Sequence, residues 1–313
     1  MTGRTGKSRG FAEFGFVVMW SSGFIGARLG TPEASTPTLM AWRFLLAAGL
    51  LLVGVFLLRR RWPGLREIAV QGVVGLLAQG VYLTGVVGAV EFGVTAGTSA
   101  LVAALQPLLA AALAGPVLGE RVSRQQWVGL AVGLVGVTLV VGGDARVGGA
   151  APLWAYAMPF VGMAGLVAAT LVERKDNLRK SGLKASAKTT SKADSEEVGV
   201  ETPMDVTLAI QCASSALMFA ALAPFWGGLE PAGGLRFWAA VAWFVVFSTF
   251  GGYGFYWLNL KLSGVARVSS LIYLTPPITI VWAYLMFGER IGPLAVVGLL
   301  ICFGGVLLAN RGT

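Results

Sequence analysis

Long apolar runs separated by short polar, glycine- and proline-bearing clusters make up most of the chain. A helix that crosses a bilayer needs about 20 mostly apolar residues. Ten runs approach or exceed that length: 11–29, 37–58, 67–90, 94–118, 122–142, 151–172, 204–226, 236–260, 264–287 and 291–310. The breaks carry turn and charge chemistry, as at Arg59-Arg60-Arg61-Trp62-Pro63-Gly64, Gly119-Glu120-Arg121, Gly142-Gly143-Asp144 and Gly227-Gly228. The pattern predicts an all-α integral membrane fold with ten transmembrane helices. The first run follows Arg4, Lys7 and Arg9 as a signal peptide would, yet it carries Arg28 at its far end and shows no small-residue cleavage site. It reads as a retained helix. Residues 173–203 have no periodic apolar face and are expected to form a disordered cytoplasmic loop, or a tether whose basic first part meets anionic lipid.

Composition turns this pattern into a statement about solvent. A chain of 313 residues suggests two soluble domains, but 56% of it is apolar and only 12% charged, with a mean hydropathy of +0.74. Soluble chains average about 25% charge, so a cytosolic enzyme is excluded. There is no histidine, which removes imidazole-based triads and HExxH zinc chemistry. Cys212 and Cys302 lie within apolar runs and read as small buried hydrophobes, and no metal or cofactor is expected. With the N-terminus inside, 19 of the 24 bases fall on the cytoplasmic side and 4 outside, Arg43 lying within a span. That is the positive-inside distribution, and it places both termini in the cytoplasm. The net charge of +9 is thereby a topology signal and implies no nucleic-acid partner.

The two halves repeat. A shift of 169 residues aligns Gly119-Glu120-Arg121 with Gly288-Glu289-Arg290, Val128-Gly129-Leu130 with Val297-Gly298-Leu299, and Pro107 with Pro276. A shift of 174 aligns Gly80-Val81-Tyr82 with Gly254-Phe255-Tyr256. The repeat unit holds five spans, an odd number, so 11–142 and 151–310 are expected to run through the membrane in opposite senses. Inverted repeats are a mark of secondary transporters, with the substrate site near the midplane between the copies. Trp20-Ser21-Ser22-Gly23-Phe24-Ile25-Gly26, Ala41-Trp42-Arg43-Phe44 and the doubled Gly-Glu-Arg turn resemble the EamA-type members of the drug/metabolite transporter superfamily. The resemblance implies a ten-helix carrier of the bacterial inner membrane that moves small metabolites such as amino acids or amphipathic compounds, often outward.

Glycines at 129, 133, 136, 298 and 305 line one face of spans five and ten and read as packing surfaces, either scaffold or dimer face, so the protein is expected to be a monomer or homodimer in membrane lipid. That leaves spans three, four, eight and nine, with the first span of each half, for a cavity. Polar and aromatic side chains recur there in steps of three or four residues: Gln79 and Tyr82 on span three, Ser99 and Gln106 on span four, Tyr253, Tyr256 and Trp257 on span eight, Tyr273 on span nine, with Trp20 on span one. Uncharged donors beside aromatic faces suit a zwitterionic or amphipathic small molecule; the same residues also serve as interhelical hydrogen bonders. Pro107, Pro276 and Pro277 lie mid-span, where a proline kinks a helix or hinges it. Arg43 is open between binding a substrate carboxylate and anchoring the fold through Glu33 or Glu91. Glu13, Glu67, Glu91 and Asp205 all fall near span ends, which favours a facilitator, an exchanger or a weakly coupled antiporter. The expected function is an alternating-access carrier, the alternative a facilitator pore for small neutral solutes, without enzymatic activity.

Overall fold

The computed structural model describes residues 2–118, 123–147, 151–190, 202–231, 233–289 and 292–310. Among the described residues ten helical segments follow one another along the chain. They are α1 (Thr2–Gly30), α2 (Thr36–Leu57), α3 (Leu65–Glu91), α4 (Ala96–Ala104 and Gln106–Leu118) and α5 (Arg124–Val147) in the first copy. In the second copy they are α6 (Met158–Thr190), α7 (Met204–Leu222), α8 (Leu235–Gly264), α9 (Arg267–Phe287) and α10 (Pro293–Asn310). Among the described residues there is no strand. The outer faces of α2, α5 and α10 stay apolar and exposed, with Leu50, Val53, Phe56, Val135, Leu300 and Leu307 outermost, as a lipid-facing surface should be.

The first helix of each copy is inserted into the other copy: α1 packs on α8 and α9, and α6 on α3 and α4. The glycine faces of α5 and α10 meet each other. A Cβ on Gly136 would come within 2.6 Å of the Gly298 carbonyl oxygen, and one on Gly305 within 2.6 Å of the Gly129 carbonyl oxygen. Since Gly136 matches Gly305 and Gly129 matches Gly298 in the repeat, these two contacts are images of one another. Cys302 bonds the carbonyl of Gly133, its own repeat partner, 169 residues away. Gln79 bonds Tyr253, likewise its repeat partner, 174 residues away. A residue touches its own repeat partner only beside the symmetry axis, so the pseudo-twofold axis passes through both pairs. The glycines thus form a scaffold seam within one chain.

One pair of helix irregularities also obeys the repeat. The α4 helix breaks at Leu105 and α9 at Tyr273-Leu274, in each case just before the matched prolines Pro107 and Pro276. Wider π-helical turns occupy Leu76–Val81 in α3 and Phe244–Gly251 in α8. Such turns leave backbone groups off the regular ladder and recur at functional sites. Between α8 and α9 the chain turns at Gly264, whose φ of +78° lies in the left-handed region.

The expected loop at 173–203 begins later than its composition suggests. Helix α6 runs on to Thr190, so residues 173–190 are helical. Ion pairs explain the extension: Arg66 to Asp176 at 2.6 Å, and Lys180 to both Glu67 at 3.0 Å and Asp176 at 3.2 Å, tie this turn of α6 to the start of α3. Residues 191–201, the first Gly-Glu-Arg turn at 119–121 and Arg290 lie outside the described residues.

Candidate functional site: a polar cavity between the copies

A cavity of about 800 Å³ lies between the copies, walled by α1, α2, α3, α6, α7 and α8 with Gln106 of α4 and Ile272 of α9. Its volume suits a small organic ligand. Arg43 marks its deep end and is 4% exposed. The guanidinium donates from Nε to Thr249 Oγ1 at 3.3 Å and from Nη2 to Ser248 Oγ and Thr249 Oγ1 at 3.2 Å, all within the π-helical stretch of α8. The rings of Phe44 and Phe244 lie against it, 4.8 and 4.7 Å from centroid to Cζ. Hydroxyl oxygens and ring faces offset part of the cost of a desolvated cation. Neither Glu33 nor Glu91 reaches it, contrary to the anchoring expectation. Glu91 instead accepts from the Thr36 backbone N–H at 2.8 Å, at the unsatisfied N-terminus of α2, and from Trp226 Nε1 at 3.1 Å. Among the described residues Arg43 has no carboxylate partner.

Beside Arg43 runs a chain of amides. Gln211 Nε2 donates to Gln71 Oε1 at 2.8 Å, Gln79 Nε2 to Gln211 Oε1 at 3.4 Å and to the Tyr253 hydroxyl oxygen at 3.0 Å, and Ser215 Oγ to Gln79 Oε1 at 3.3 Å. Tyr253 therefore accepts from Gln79 and keeps its own proton for another acceptor in the cavity. Opposite lies an aromatic wall, with Trp20 6.2 Å from Tyr253 and 6.0 Å from Tyr256, and Tyr253 6.3 Å from Trp257 between centroids. Together these elements offer a cationic end, neutral donors and an apolar surface to one ligand.

Of the residues singled out from sequence, Trp20, Arg43, Gln79, Tyr82, Gln106, Tyr253, Tyr256 and Trp257 line this cavity. Ser99 and Tyr273 do not. Ser99 is fully buried within α4, its hydroxyl without a hydrogen-bond partner among the described residues, and Tyr273 packs at the α9 break against the apolar cluster of Leu101, Leu105 and Cys302. The carbonyl of Ile272, one turn before the proline pair, accepts from Thr275 Oγ1 at 2.7 Å. Sequence reading passed over Gln211, Ser248 and Glu173, which also line the cavity. Gln211 shares a stripe with Thr207 and Ser215, but on span seven, which the sequence argument left out of the cavity. Ser248 acquires its position from the wider turn of α8. The polar composition of 173–203 places Glu173 in a loop, yet Leu166, Thr170, Glu173, Asn177 and Lys180 form one stripe of α6 facing the cavity.

The cavity opens at the end where Glu67, Lys180 and Thr202 lie. The other end is shut. There Arg28 Nε donates to Glu289 Oε1 at 3.1 Å and stands over the Phe287 ring, Trp243 Nε1 donates to the Ser22 carbonyl at 3.0 Å, and Ser35 Oγ to the Trp226 carbonyl at 2.6 Å. Burial holds the Glu289 carboxyl above its ordinary range, with Arg28 pulling the other way.

Known proteins share this plan. The chain is 29% identical over 303 residues to a probable terminal-alkyne amino-acid exporter of Streptantibioticus cattleyicolor, covering 95% of this chain and 91% of that one. It is 33% identical over 133 residues to an uncharacterized inner membrane transporter of Escherichia coli, covering 42% and 43%. A probable amino-acid metabolite efflux pump of Salmonella typhimurium is 29% identical over 135 residues, covering 43% of each chain. A solved crystal structure, 20% identical, superposes with a TM-score of 0.58 over 97% of both chains and so shares the fold. The profile of the EamA-like transporter family matches residues 11–142 and 198–311, once in each half of the chain. With eight helices among the described residues long and apolar enough to cross a membrane, two shorter apolar helices and a cavity between the halves, the chain belongs to the EamA-like transporter family and is a multi-pass membrane transporter.

Proposed function

We propose that the protein exports small amphipathic amino-acid-like compounds from the cytoplasm by alternating access, with both termini cytoplasmic and the cavity described above in its inward-open form. The observation that carries this reading is Arg43, a buried cation facing the cavity without a carboxylate partner among the described residues. A carboxylate is the anion that its fork of donors fits best. Ser248 and the free proton of Tyr253 stand beside it, and the walls of Trp20, Tyr256 and Trp257 suit an apolar side chain. The names of the relatives, which include an amino-acid exporter and an amino-acid metabolite efflux pump, support the same class. The asymmetry of the bases supports the orientation.

In this reading the carboxylate reaches Arg43 through the open end, the closed end parts, and the breaks at Leu105 and Tyr273-Leu274, before Pro107 and Pro276-Pro277, take up the bending. The test is counterflow in proteoliposomes loaded with a panel of apolar L-amino acids and their carboxamides. Saturable exchange of the acids and none of the carboxamides is expected. Unsaturable conductance would instead mark a pore, and equal exchange of acids and carboxamides would remove Arg43 from the recognition step.

A further inference from the structure

We propose that the Arg43 end of the cavity selects carboxylates whose α-substituent is an uncharged hydrogen-bond acceptor, namely 2-oxo and 2-hydroxy acids, over the zwitterionic amino acids with the same side chain. The inference rests on the carboxylate-binding role given above to Arg43, and names the group preferred beside that carboxylate.

The hydrogen bonds around Arg43 use up acceptors and leave protons. Ser248 Oγ accepts from Arg43 Nη2 at 3.2 Å, and the Tyr253 hydroxyl oxygen accepts from Gln79 Nε2 at 3.0 Å. Neither hydroxyl donates to a described residue, so each keeps a proton for a ligand. The neighbouring amide oxygens are already engaged: Gln79 Oε1 by Ser215, Gln211 Oε1 by Gln79 and Gln71 Oε1 by Gln211. Thr249, which holds the guanidinium, and Tyr253 are four residues apart on α8, a step that makes them neighbours on one helix face. The ring faces beside Arg43 are those of Phe44 and Phe244, and the guanidinium itself covers them.

No anion stands ready for an ammonium there. Arg43 has no carboxylate partner among the described residues, and the ionisable groups that act on it are Tyr82, Cys212 and Tyr253, all neutral at about pH 7. Of the carboxylates lining the cavity, Glu67 pairs with Lys180 at 3.0 Å towards the open end, and Glu173 is exposed with Lys180 acting on it. With a substrate carboxylate on the guanidinium, an α-ammonium would stand within about 6 Å of the guanidinium, from ordinary bond lengths and a hydrogen bond of about 3 Å. It is a like charge to Arg43, and it has donors but no acceptor for the protons of Ser248 and Tyr253. An oxo or hydroxyl oxygen in the same place offers lone pairs to those protons and adds no charge. The side chain is common to both classes and meets the same wall of Trp20, Tyr256 and Trp257.

The experiment uses the full-length protein in liposomes, with counterflow of labelled L-norleucine and of labelled 2-oxohexanoate. Each is competed by unlabelled norleucine, 2-oxohexanoate and L-2-hydroxyhexanoate, which share one side chain, and by norleucinamide. In wild-type protein the oxo and hydroxy acids are expected to half-inhibit at roughly tenfold lower concentration than norleucine, through a hydrogen bond gained and a like charge avoided. Tyr253→Phe removes one of the two protons and is expected to narrow that ratio to about threefold. If norleucine competes as well as either of the other acids in wild type, the inference is overturned, while exchange that norleucinamide does not inhibit leaves the carboxylate-binding role of Arg43 standing. If Tyr253→Phe weakens all three acids by the same factor, Tyr253 serves the fold and the inference fails again. Equal inhibition by norleucinamide, or no exchange of either labelled compound, would overturn the role given to Arg43 and this inference with it.

Discussion

A guanidinium held in the membrane interior without a counter-ion is a cost that folding alone does not require. Replacing a buried charged group with an apolar residue of similar length is often neutral or stabilising. Arg43→Met is therefore expected to keep or raise the melting temperature in detergent while lowering exchange of carboxylate substrates at least about tenfold. A fall in folded yield with transport preserved would instead return Arg43 to an anchoring role. Gln79 supplies a second check. It fixes the direction of the Tyr253 phenol, so Gln79→Leu should raise the half-saturation concentration for acids while leaving the maximum exchange rate nearer to wild type. At this scale much could be read from sequence, because the stripes of Gln79, Tyr82, Tyr253, Tyr256 and Trp257 obey helical spacing. What could not be read was which polar residues the bends would carry inward. Ser248 and Ser99 look alike in sequence, and only the π-helical stretch of α8 separates them.

Eight of the ten helices are legible to within about five residues, since apolar length and turn chemistry suffice to set a membrane span, while α1 starts nine residues before 11 and α6 ends 18 residues beyond 172. Their irregularities were legible only in part. Paired prolines announced the breaks in α4 and α9, but nothing local in Leu76–Val81 or Phe244–Gly251 announces a wider turn. The extension of α6 past Glu173 was hidden for a different reason: its partners, Glu67 and Arg66, lie more than 100 residues away in the sequence. Packing between elements is more predictable, and a glycine is the instrument. A Cβ at Gly85 would stand 2.4 Å from the Met158 carbonyl oxygen and 2.6 Å from the Gly162 amide nitrogen, both of them backbone atoms of α6. Gly85→Ala must push α3 and α6 apart, and a destabilisation of about 1–3 kcal/mol is expected, measurable as a drop in thermal unfolding midpoint. Gly49→Ala on the outer side of α2 meets nothing within 4 Å and should leave that midpoint in place.

For the whole molecule the question is what holds one end shut. Arg28 and Glu289 join α1 to the end of α9 across the copies, with Asp144 acting on Glu289 as a like charge nearby. Burial in the shut form raises the proton affinity of Glu289 above its ordinary value of 4.5, and opening would return the group to water. The shut form therefore binds the proton more tightly. As pH falls through the raised value towards 4.5, protonation should stabilise the shut end; as pH rises, the advantage is lost and opening is favoured. A thiol reagent applied to a cysteine introduced at Trp282, beside Trp243, reads this directly. Divided by the rate at an exposed reference cysteine, which removes the thiol's own titration, labelling should slow on acidification in the wild-type background and lose that remaining pH dependence in Glu289→Gln.

The glycine seam of α5 and α10 bears on how the two copies were free to diverge. The backbone contacts there join a residue of one copy to a residue of the other, Gly136 to Gly298 and Gly129 to Gly305. A bulky replacement in either copy would meet backbone of its twin, so drift on one side is checked by the other and the halves remain alike. At the cavity the same axis imposes no such likeness, and its two sides have become Gln79 and Tyr253, a donor and an acceptor. Divergence was concentrated where an unsymmetrical molecule has to be recognised, and suppressed where two halves of one ancestor must still fit.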